Sequence, residues 1–145
     1  MNAKAGGLKR RQLTEKIIGV FYDVYNELGH GFLESVYEQA MVIALSAAGL
    51  KVERQFPLIV TFRGRVVGDF RADLLVERAV ILELKAAAGI DPAYEAQLLN
   101  YLRATEIEVG LLLNFGPKPQ FKRLVFENSR KQIRVYSRES AAGLS

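Results

Sequence analysis

The stretch Gly68–Ala86, GDFRADLLVERAVILELKA, predicts two β-strands joined by a tight turn. Because the side chains of a strand alternate between its two faces, polar residues stand out against an apolar pattern. One face of the first strand is expected to carry Phe70, Ala72, Leu74 and Val76. Asp73, Glu83 and Lys85 then lie inside two otherwise apolar strands. Carboxylates and lysines are seldom fully buried unless they are paired or bind a metal ion. Two carboxylates and a lysine form a set that can hold a divalent cation and orient a water molecule.

The register of this hairpin decides whether the two carboxylates meet. A three-residue loop, Glu77–Ala79, pairs Val76 with Val80 and places Asp73 opposite Glu83. Directly opposed side chains have Cβ atoms about 4.5–5.5 Å apart, so both carboxylates can reach one ion. A two-residue loop would instead turn Asp73 away from Glu83, because a one-residue slip moves a side chain to the other face.

An ion pair between the strands is the structural alternative for these polar residues. Asp73 or Glu83 would then pair with Arg71 or Lys85 across the hairpin. Residue type alone favours this alternative, because a glutamate and a lysine two residues apart form a very short motif. The contacts of the two carboxylates in the folded chain distinguish the two interpretations.

Length and composition indicate one globular, cytoplasmic domain. The chain has 145 residues, of which 50% are hydrophobic, and a net charge of +4. It has no cysteine, which excludes disulfides, zinc–thiolate sites and thiol catalysis. No apolar run is long enough to span a bilayer, so no membrane association is expected. We expect a flexible leader over residues 1–13, a single domain over residues 14–137 and a loose tail over residues 138–145.

Helical periodicity predicts two helices before the hairpin. Thr14 is expected to cap the first, which ends at Gly29. The second is expected over residues 33–48, with Gly49 as its stop. The residues expected to face inward from this second helix are Val36, Tyr37, Ala40, Ile43, Ala44 and Ala47.

The other elements complete a mixed fold. Strands are predicted at residues 52–56 and 58–62, with Pro57 between them as an interruption or a bulge. Asp91-Pro92 is expected to start a third helix that ends near Thr105. A strand buried on both faces is predicted at residues 108–115, followed by short strands at residues 123–126 and 133–136. The order predicts the α/β or α+β class, with a mixed β-sheet flanked by helices.

Three polar residues outside the hairpin are further candidates. Glu34 lies in the first turn of the second helix, where the helix dipole favours a carboxylate; it can also act as a third metal ligand. Gln97 and Tyr101 are four residues apart on the third helix, so they share a face that is either a substrate groove or a helix flank. The single histidine, His30, is interpreted as a loop residue, and neither a glycine-rich phosphate loop nor a GxSxG motif is present.

Basic residues concentrate in the last third of the chain. Between residues 118 and 138 there are seven lysines and arginines, with Glu127 as the only acid. Such a cluster is either a phosphate-binding surface or an ordinary solvated surface. The candidate phosphate contacts are Lys118, Lys122, Arg123, Arg130 and Lys131.

Taken together, these residues resemble the GxxExxY family of the PD-(D/E)xK nuclease superfamily. The resemblance extends over roughly residues 16–126, and its motifs occur in the family's order. Those motifs are Gly31-x-x-Glu34-x-x-Tyr37, Asp73, Glu83-Leu-Lys85, Gln97-Leu-Leu-Asn-Tyr101, the Gly110–Gly116 strand and Lys122-Arg123. The chain departs from the family pattern at Ala72, where the superfamily's name has proline, and at Tyr94, where many relatives carry histidine.

The resemblance implies a restriction-endonuclease-like core of αβββαβ order with a magnesium (or manganese) site. Asp73 and Glu83 would bind the metal, Glu34 would add a carboxylate, and Lys85 would be the catalytic lysine. The Q-x-x-x-Y element is similar to that of the superfamily's exonuclease branch. The residues predicted to contact the substrate are Gln97, Tyr101, Lys122 and Arg123.

The leading hypothesis is a magnesium-dependent nuclease that hydrolyses phosphodiester bonds through a metal-activated water. Nucleic acid is the expected partner, and DNA is favoured over RNA as the substrate. The alternative is a catalytically inactive nucleic-acid-binding module or accessory protein on the same fold. The intact Asp73, Glu83 and Lys85 favour the enzyme. The oligomeric state is open, with a homodimer among the options.

Overall fold

A five-stranded mixed sheet forms the centre of the computed structural model, which describes residues 10–131. Its elements are α1 (Arg11–Leu28), α2 (Glu34–Ala47), β1 (Val52–Phe62), β2 (Arg65–Val76), β3 (Val80–Lys85), α3 (Pro92–Arg103), β4 (Val109–Phe115), β5 (Pro119–Val125) and a 3₁₀ turn (Asn128–Arg130). The strands are ordered β1-β2-β3-β4-β5. Every neighbouring pair is antiparallel except β3 and β4, which α3 connects as a crossover. The predicted fold class is confirmed. The predicted strand at residues 133–136, the tail and most of the leader lie outside the described residues.

Each face of the sheet has its own apolar core. On one face, which we call the α1/α2 face, Phe21 and Tyr37 pack over Phe115 at the end of β4. On the opposite face, the α3 face, Leu98 and Tyr101 pack in a second cluster. β4 is buried along its whole length, as predicted, because helices cover both of its faces.

The two N-terminal helices differ in detail from the sequence prediction. α1 begins at Arg11, so the predicted cap at Thr14 is wrong. The Thr14 hydroxyl instead donates to the Arg11 carbonyl from within the helix. In α2, the prediction that Tyr37 faces inward is confirmed, whereas Val36 and Ile43 are exposed. The other buried apolar side chains are Met41 and Leu45, which were not predicted. The alanines of this helix fit either face, so they gave no signal of its orientation.

β1 is one strand across Pro57, so the predicted break there is wrong. β1 lies at the edge of the sheet, where a residue without an N–H group is tolerated. β5 begins at Pro119, four residues before the predicted start. The start of α3 is confirmed: the Asp91 carboxylate caps the helix by accepting a hydrogen bond from the Ala93 N–H (2.8 Å), and the helix ends at Arg103.

The alternation of side chains along β2 reverses at Asp73. Ala72 packs in the cluster on the α3 face, together with Leu58 of β1. Leu74 and Val76 pack in the cluster on the α1/α2 face. The prediction that these even-numbered residues share one face is therefore wrong, because it assumed an unbroken strand.

Candidate active site

The β2–β3 hairpin brings two carboxylates together at the point where its strands separate. The ladder runs Val76–Val80, Leu75–Ile81 and Leu74–Leu82, which confirms the three-residue loop. Beyond it, side chains replace the backbone pairing. The Asp73 N–H donates to Glu83 Oε2 (2.9 Å), and the Leu84 N–H donates to Asp73 Oδ2 (2.8 Å). Each carboxylate thus uses one oxygen to hold the opposite strand, and the other oxygen accepts no hydrogen bond among residues 10–131.

The pKa of both carboxyl groups in this pair is raised. Glu83 is only 5% exposed. Its burial and the charge of Asp73 raise the pKa of Glu83 to about 8. Burial also raises the pKa of Asp73, with contributions from the charges of Glu38 and Glu34, against the Leu84 hydrogen bond that lowers it. Two like charges in a site with little water are costly unless a cation joins them.

Lys85 lies next to the pair without bonding to it. It is paired with Asn114 across the parallel β3–β4 ladder, and its Nζ lies 4.7 Å from the centre of the Tyr94 ring. Its charge lowers the pKa of both carboxyl groups, so it is within electrostatic reach of them. A cation over an aromatic face is held by the ring's quadrupole.

The hairpin does not form the ion pair between its strands that was the structural alternative for these polar residues. Within residues 10–131, neither Asp73 nor Glu83 makes an ion pair with Arg71 or Lys85. Arg71 donates instead to the Gln55 carbonyl (3.2 Å). The two carboxylates are therefore held by backbone N–H groups of the neighbouring strand rather than by a cationic side chain.

Glu34 lies at the first position of α2, with its side chain exposed. Gly31, at φ 110°, turns the chain just before this helix, in a backbone conformation that glycine adopts readily. The charge of Glu34 contributes to the raised pKa of both Asp73 and Glu83, so it acts on the same site. In the part of the chain that the structure describes, no three acidic or histidine side chains are close enough to hold a metal ion by themselves. A role for Glu34 as third ligand remains a prediction.

Of the two predicted groove residues on α3, Tyr101 faces the carboxylates and Gln97 is exposed. Tyr101 is 7% exposed. Burial raises the pKa of its hydroxyl, and the charges of Glu83 and Asp73 add to the shift. Gln97 lies one turn earlier on the helix, where its amide is open to solvent.

The predicted basic surface does not form one patch. Lys122 and Arg123 are neighbours on β5, so they project to opposite faces of the sheet. Arg123 lies on the α1/α2 face, where its Nε donates to the Thr14 hydroxyl (3.3 Å) and burial lowers its pKa. Lys131 is 3% exposed and its Nζ donates to the carbonyls of Thr105 and Ile107. Lys131 is therefore structural, which corrects its prediction as a phosphate contact.

Two residues near the site, Glu38 and Asn114, were not predicted from the sequence. Glu38, one turn after Glu34, is buried and acts on the pKa of Asp73; the four-residue spacing of two acids was a signal. Asn114 is fully buried in β4, and its side-chain amide exchanges two hydrogen bonds with the backbone of Ala87 (2.9 and 3.0 Å). It fixes the chain just after Lys85, and a lone amide in an apolar strand was its signal.

The sheet order, the crossover and the position of the carboxylates define a restriction-endonuclease-like domain. A family model described as the PD-(D/E)XK nuclease superfamily matches residues 11–124, and the chain belongs to that superfamily. The crystal structure of SSO0001 is similar in fold, with a TM-score of 0.53 and 17% sequence identity. That similarity covers 77% of this chain and 58% of the other. No curated protein matches the chain. Within residues 10–131, no helix is long and apolar enough to cross a membrane.

Proposed function

We propose that this protein is a divalent-metal-dependent nuclease of the GxxExxY branch that hydrolyses phosphodiester bonds in DNA or RNA. The observation that carries the proposal is the Asp73–Glu83 pair. Each carboxylate accepts a hydrogen bond from the backbone of the opposite strand, and each has one oxygen without a hydrogen-bond partner among the described residues. Membership of the PD-(D/E)XK nuclease superfamily supports the same chemistry.

The donor set fits a magnesium or manganese ion. Carboxylate oxygens are the ligands that both hard cations prefer, and magnesium keeps several of its waters in protein sites. Two protein carboxylates leave room for such waters, and Glu34, whose charge acts on both of them, is the third candidate ligand. Burial and the charge of Asp73 raise the pKa of Glu83 against the opposing charge of Lys85. A divalent cation would add positive charge that favours the ionised pair.

The chain's own residues have separate roles in this proposal. Asp73 and Glu83 would hold the metal, which when bound activates a water and neutralises phosphate charge. The Lys85 ammonium, held over Tyr94, would stabilise negative charge that develops on the phosphate. Other proposed contacts to nucleic acid are Gln97, Tyr101, Lys122 and Arg123. A cytoplasmic location, a homodimer and the preference for DNA over RNA stay predictions from the sequence.

The test is magnesium binding by calorimetry together with cleavage of single- and double-stranded DNA and RNA. Glu83→Ala should lose both metal binding and cleavage. Lys85→Ala should keep metal binding while cleavage falls about 10²–10³-fold, by analogy with the removal of one charge-stabilising group in acyl transfer. Asp69→Asn is the matched control, because Asp69 is an exposed carboxylate on the same strand with no hydrogen-bond partner among the described residues. It should leave both measurements unchanged.

A wild-type protein that binds no divalent metal and cleaves none of these substrates contradicts the proposal. Nucleic-acid binding that survives in that case would favour the inactive binding module. Thermal melts of each variant separate loss of the site from loss of the fold.

A further inference from the structure

Gln55 lies in the edge strand β1, directly opposite the candidate metal ligand Asp73. Its φ is 52°, the left-handed region that residues other than glycine rarely adopt, and it lies within β1 rather than in a turn. Arg54 pairs with Leu74 and Phe56 pairs with Ala72 on either side, which places Gln55 across from Asp73. Backbone strain of this kind persists only where neighbouring contacts hold it.

The same position is where β2 changes the face to which its side chains point. Ala72 packs on the α3 face and Leu74 on the α1/α2 face, although residues two apart in a regular strand share a face. Asp73 lies between them, and its carboxylate turns to β3 to accept the Leu84 N–H. The irregular backbone at Gln55 and Asp73 is thus the local geometry at which the Asp73 carboxylate turns to β3, where it accepts the Leu84 N–H next to Glu83.

A buried carboxylate on α2 holds the strained residue in place. Glu38 is 8% exposed. It accepts hydrogen bonds from the Gln55 side-chain amide (3.0 Å) and from Arg54 Nε (3.1 Å), and it forms an ion pair with the same guanidinium (3.0 Å). Arg71 adds a bond from the other strand, to the Gln55 carbonyl. Hydrogen bonds to a charged acceptor in a water-poor site are strong ones.

We infer that Glu38 is a positioning residue: through Gln55 and Arg54 it maintains the irregular backbone of β1 at Gln55, which directs the Asp73 carboxylate to the Leu84 N–H beside Glu83. The importance of that placement for metal binding rests on the proposed function. The positioning of the Asp73 carboxylate does not rest on the proposed function, because the hydrogen bond from the Leu84 N–H to Asp73 reports it directly.

Glycine at position 55 provides the decisive comparison, because glycine adopts positive φ without help from a neighbouring side chain. If Glu38 acts by holding strained backbone, Glu38→Ala should be harmful alone and nearly harmless in combination with Gln55→Gly. The readouts are the amide proton shift and hydrogen-exchange rate of Leu84 by NMR, and the affinity for Mn²⁺ by calorimetry. We expect Glu38→Ala to accelerate Leu84 exchange and weaken Mn²⁺ binding, each by about tenfold or more. Gln55→Gly and the double variant should both stay close to wild type.

Glu53→Gln is the control: Glu53 lies on β1 like Gln55, and its ion pair with Arg78 of the hairpin loop does not involve Gln55. It should leave Leu84 unchanged. If Glu38→Ala does not fold, Glu38→Gln replaces it, because glutamine keeps an oxygen acceptor but loses the ion pair. Its effects on Leu84 exchange and on Mn²⁺ affinity should be smaller and in the same direction. Equal losses from Glu38→Ala with and without Gln55→Gly, or no loss at all, would overturn the inference. If the Leu84 signals respond as expected but the wild type binds no Mn²⁺, the positioning role stands and the proposed function fails.

Discussion

Magnesium affinity is expected to fall about fifty-fold when the pH is lowered from 8 to 6. A carboxylate must lose its proton before it binds a metal, and burial and the charge of Asp73 raise the pKa of Glu83 to about 8. With that pKa, about half of the Glu83 side chains are ionised at pH 8 and about one in a hundred at pH 6, and the apparent affinity follows this fraction. Above pH 9 the affinity should level off, because nearly all of the Glu83 is then ionised.

The assay is calorimetric titration with magnesium chloride at pH 6, 7 and 8, each in two buffers of different ionisation enthalpy. The difference between buffers gives the number of protons released, which should be about 0.9 per magnesium at pH 7. Asp69→Asn should keep both the pH dependence and the proton release. Glu83→Gln has no proton to lose at this position, so its weaker binding should be nearly independent of pH over the same range.

A constant affinity between pH 6 and 8 would refute the assignment of Glu83 as a buried, titrating ligand. A wild-type pH dependence that Glu83→Gln retains would move the released proton to another group. Because Asp73 and Glu83 are in contact, the measured midpoint belongs to the pair, and the variant decides which residue carries it.

Three further predictions concern stability and nucleic-acid binding. The pKa of Glu83 is raised in the folded state from 4.5 to about 8, so its contribution to stability is present below pH 4.5 and is lost as the pH rises through 8. In EDTA, Glu83→Gln should therefore become more stable relative to wild type across this range, by up to about 5 kcal/mol in chemical unfolding. A difference in stability that does not change with pH would contradict this. Gly116→Ala should destabilise the fold by at least about 1–3 kcal/mol, because a Cβ there would lie 2.2 Å from the Ala87 carbonyl oxygen. Gly19→Ala, in open space on α1, should instead stabilise the fold by about 0.5–1 kcal/mol. A similar shift of the melting temperature for both variants would contradict this prediction. If Lys122 contacts a phosphate of duplex DNA, Lys122→Ala should reduce the log–log salt slope of binding in EDTA by about 0.9, and an unchanged slope would remove it from the interface.

Local patterns were sufficient for the hairpin and the fold class. A loop over residues 77–79 fixes the pairing of Val76 with Val80, and the register that follows continues to Leu74 and Leu82, next to Asp73 and Glu83. The start of α3 followed from Asp91-Pro92, because a capping carboxylate and a proline at the first helical position act within three residues of sequence. The apolar run of β4 likewise predicted a strand covered on both faces.

Other features depended on contacts between segments that are distant in sequence. Tyr37 of α2 was predicted to face inward, but only the folded chain stacks it on Phe115 and buries Met41 and Leu45 in place of Val36 and Ile43. From the sequence, Lys131 was interpreted as a surface cation, but in the folded chain its ammonium donates to the carbonyls of Thr105 and Ile107. A basic residue in sequence carries no information about which carbonyls will surround it.

At the candidate site, the sequence predicts which chemical groups are present and the hairpin loop that places Asp73 and Glu83 on neighbouring strands. The directions of these groups depend on contacts between distant segments, namely the left-handed Gln55, the Glu38 carboxylate that binds it, and the Tyr94 ring beneath Lys85. The two kinds of feature differ in the range of the interactions that set them. Strand alternation and turn length act between near neighbours and repeat predictably, whereas a strained backbone and a buried carboxylate are stable only when side chains from separate elements meet.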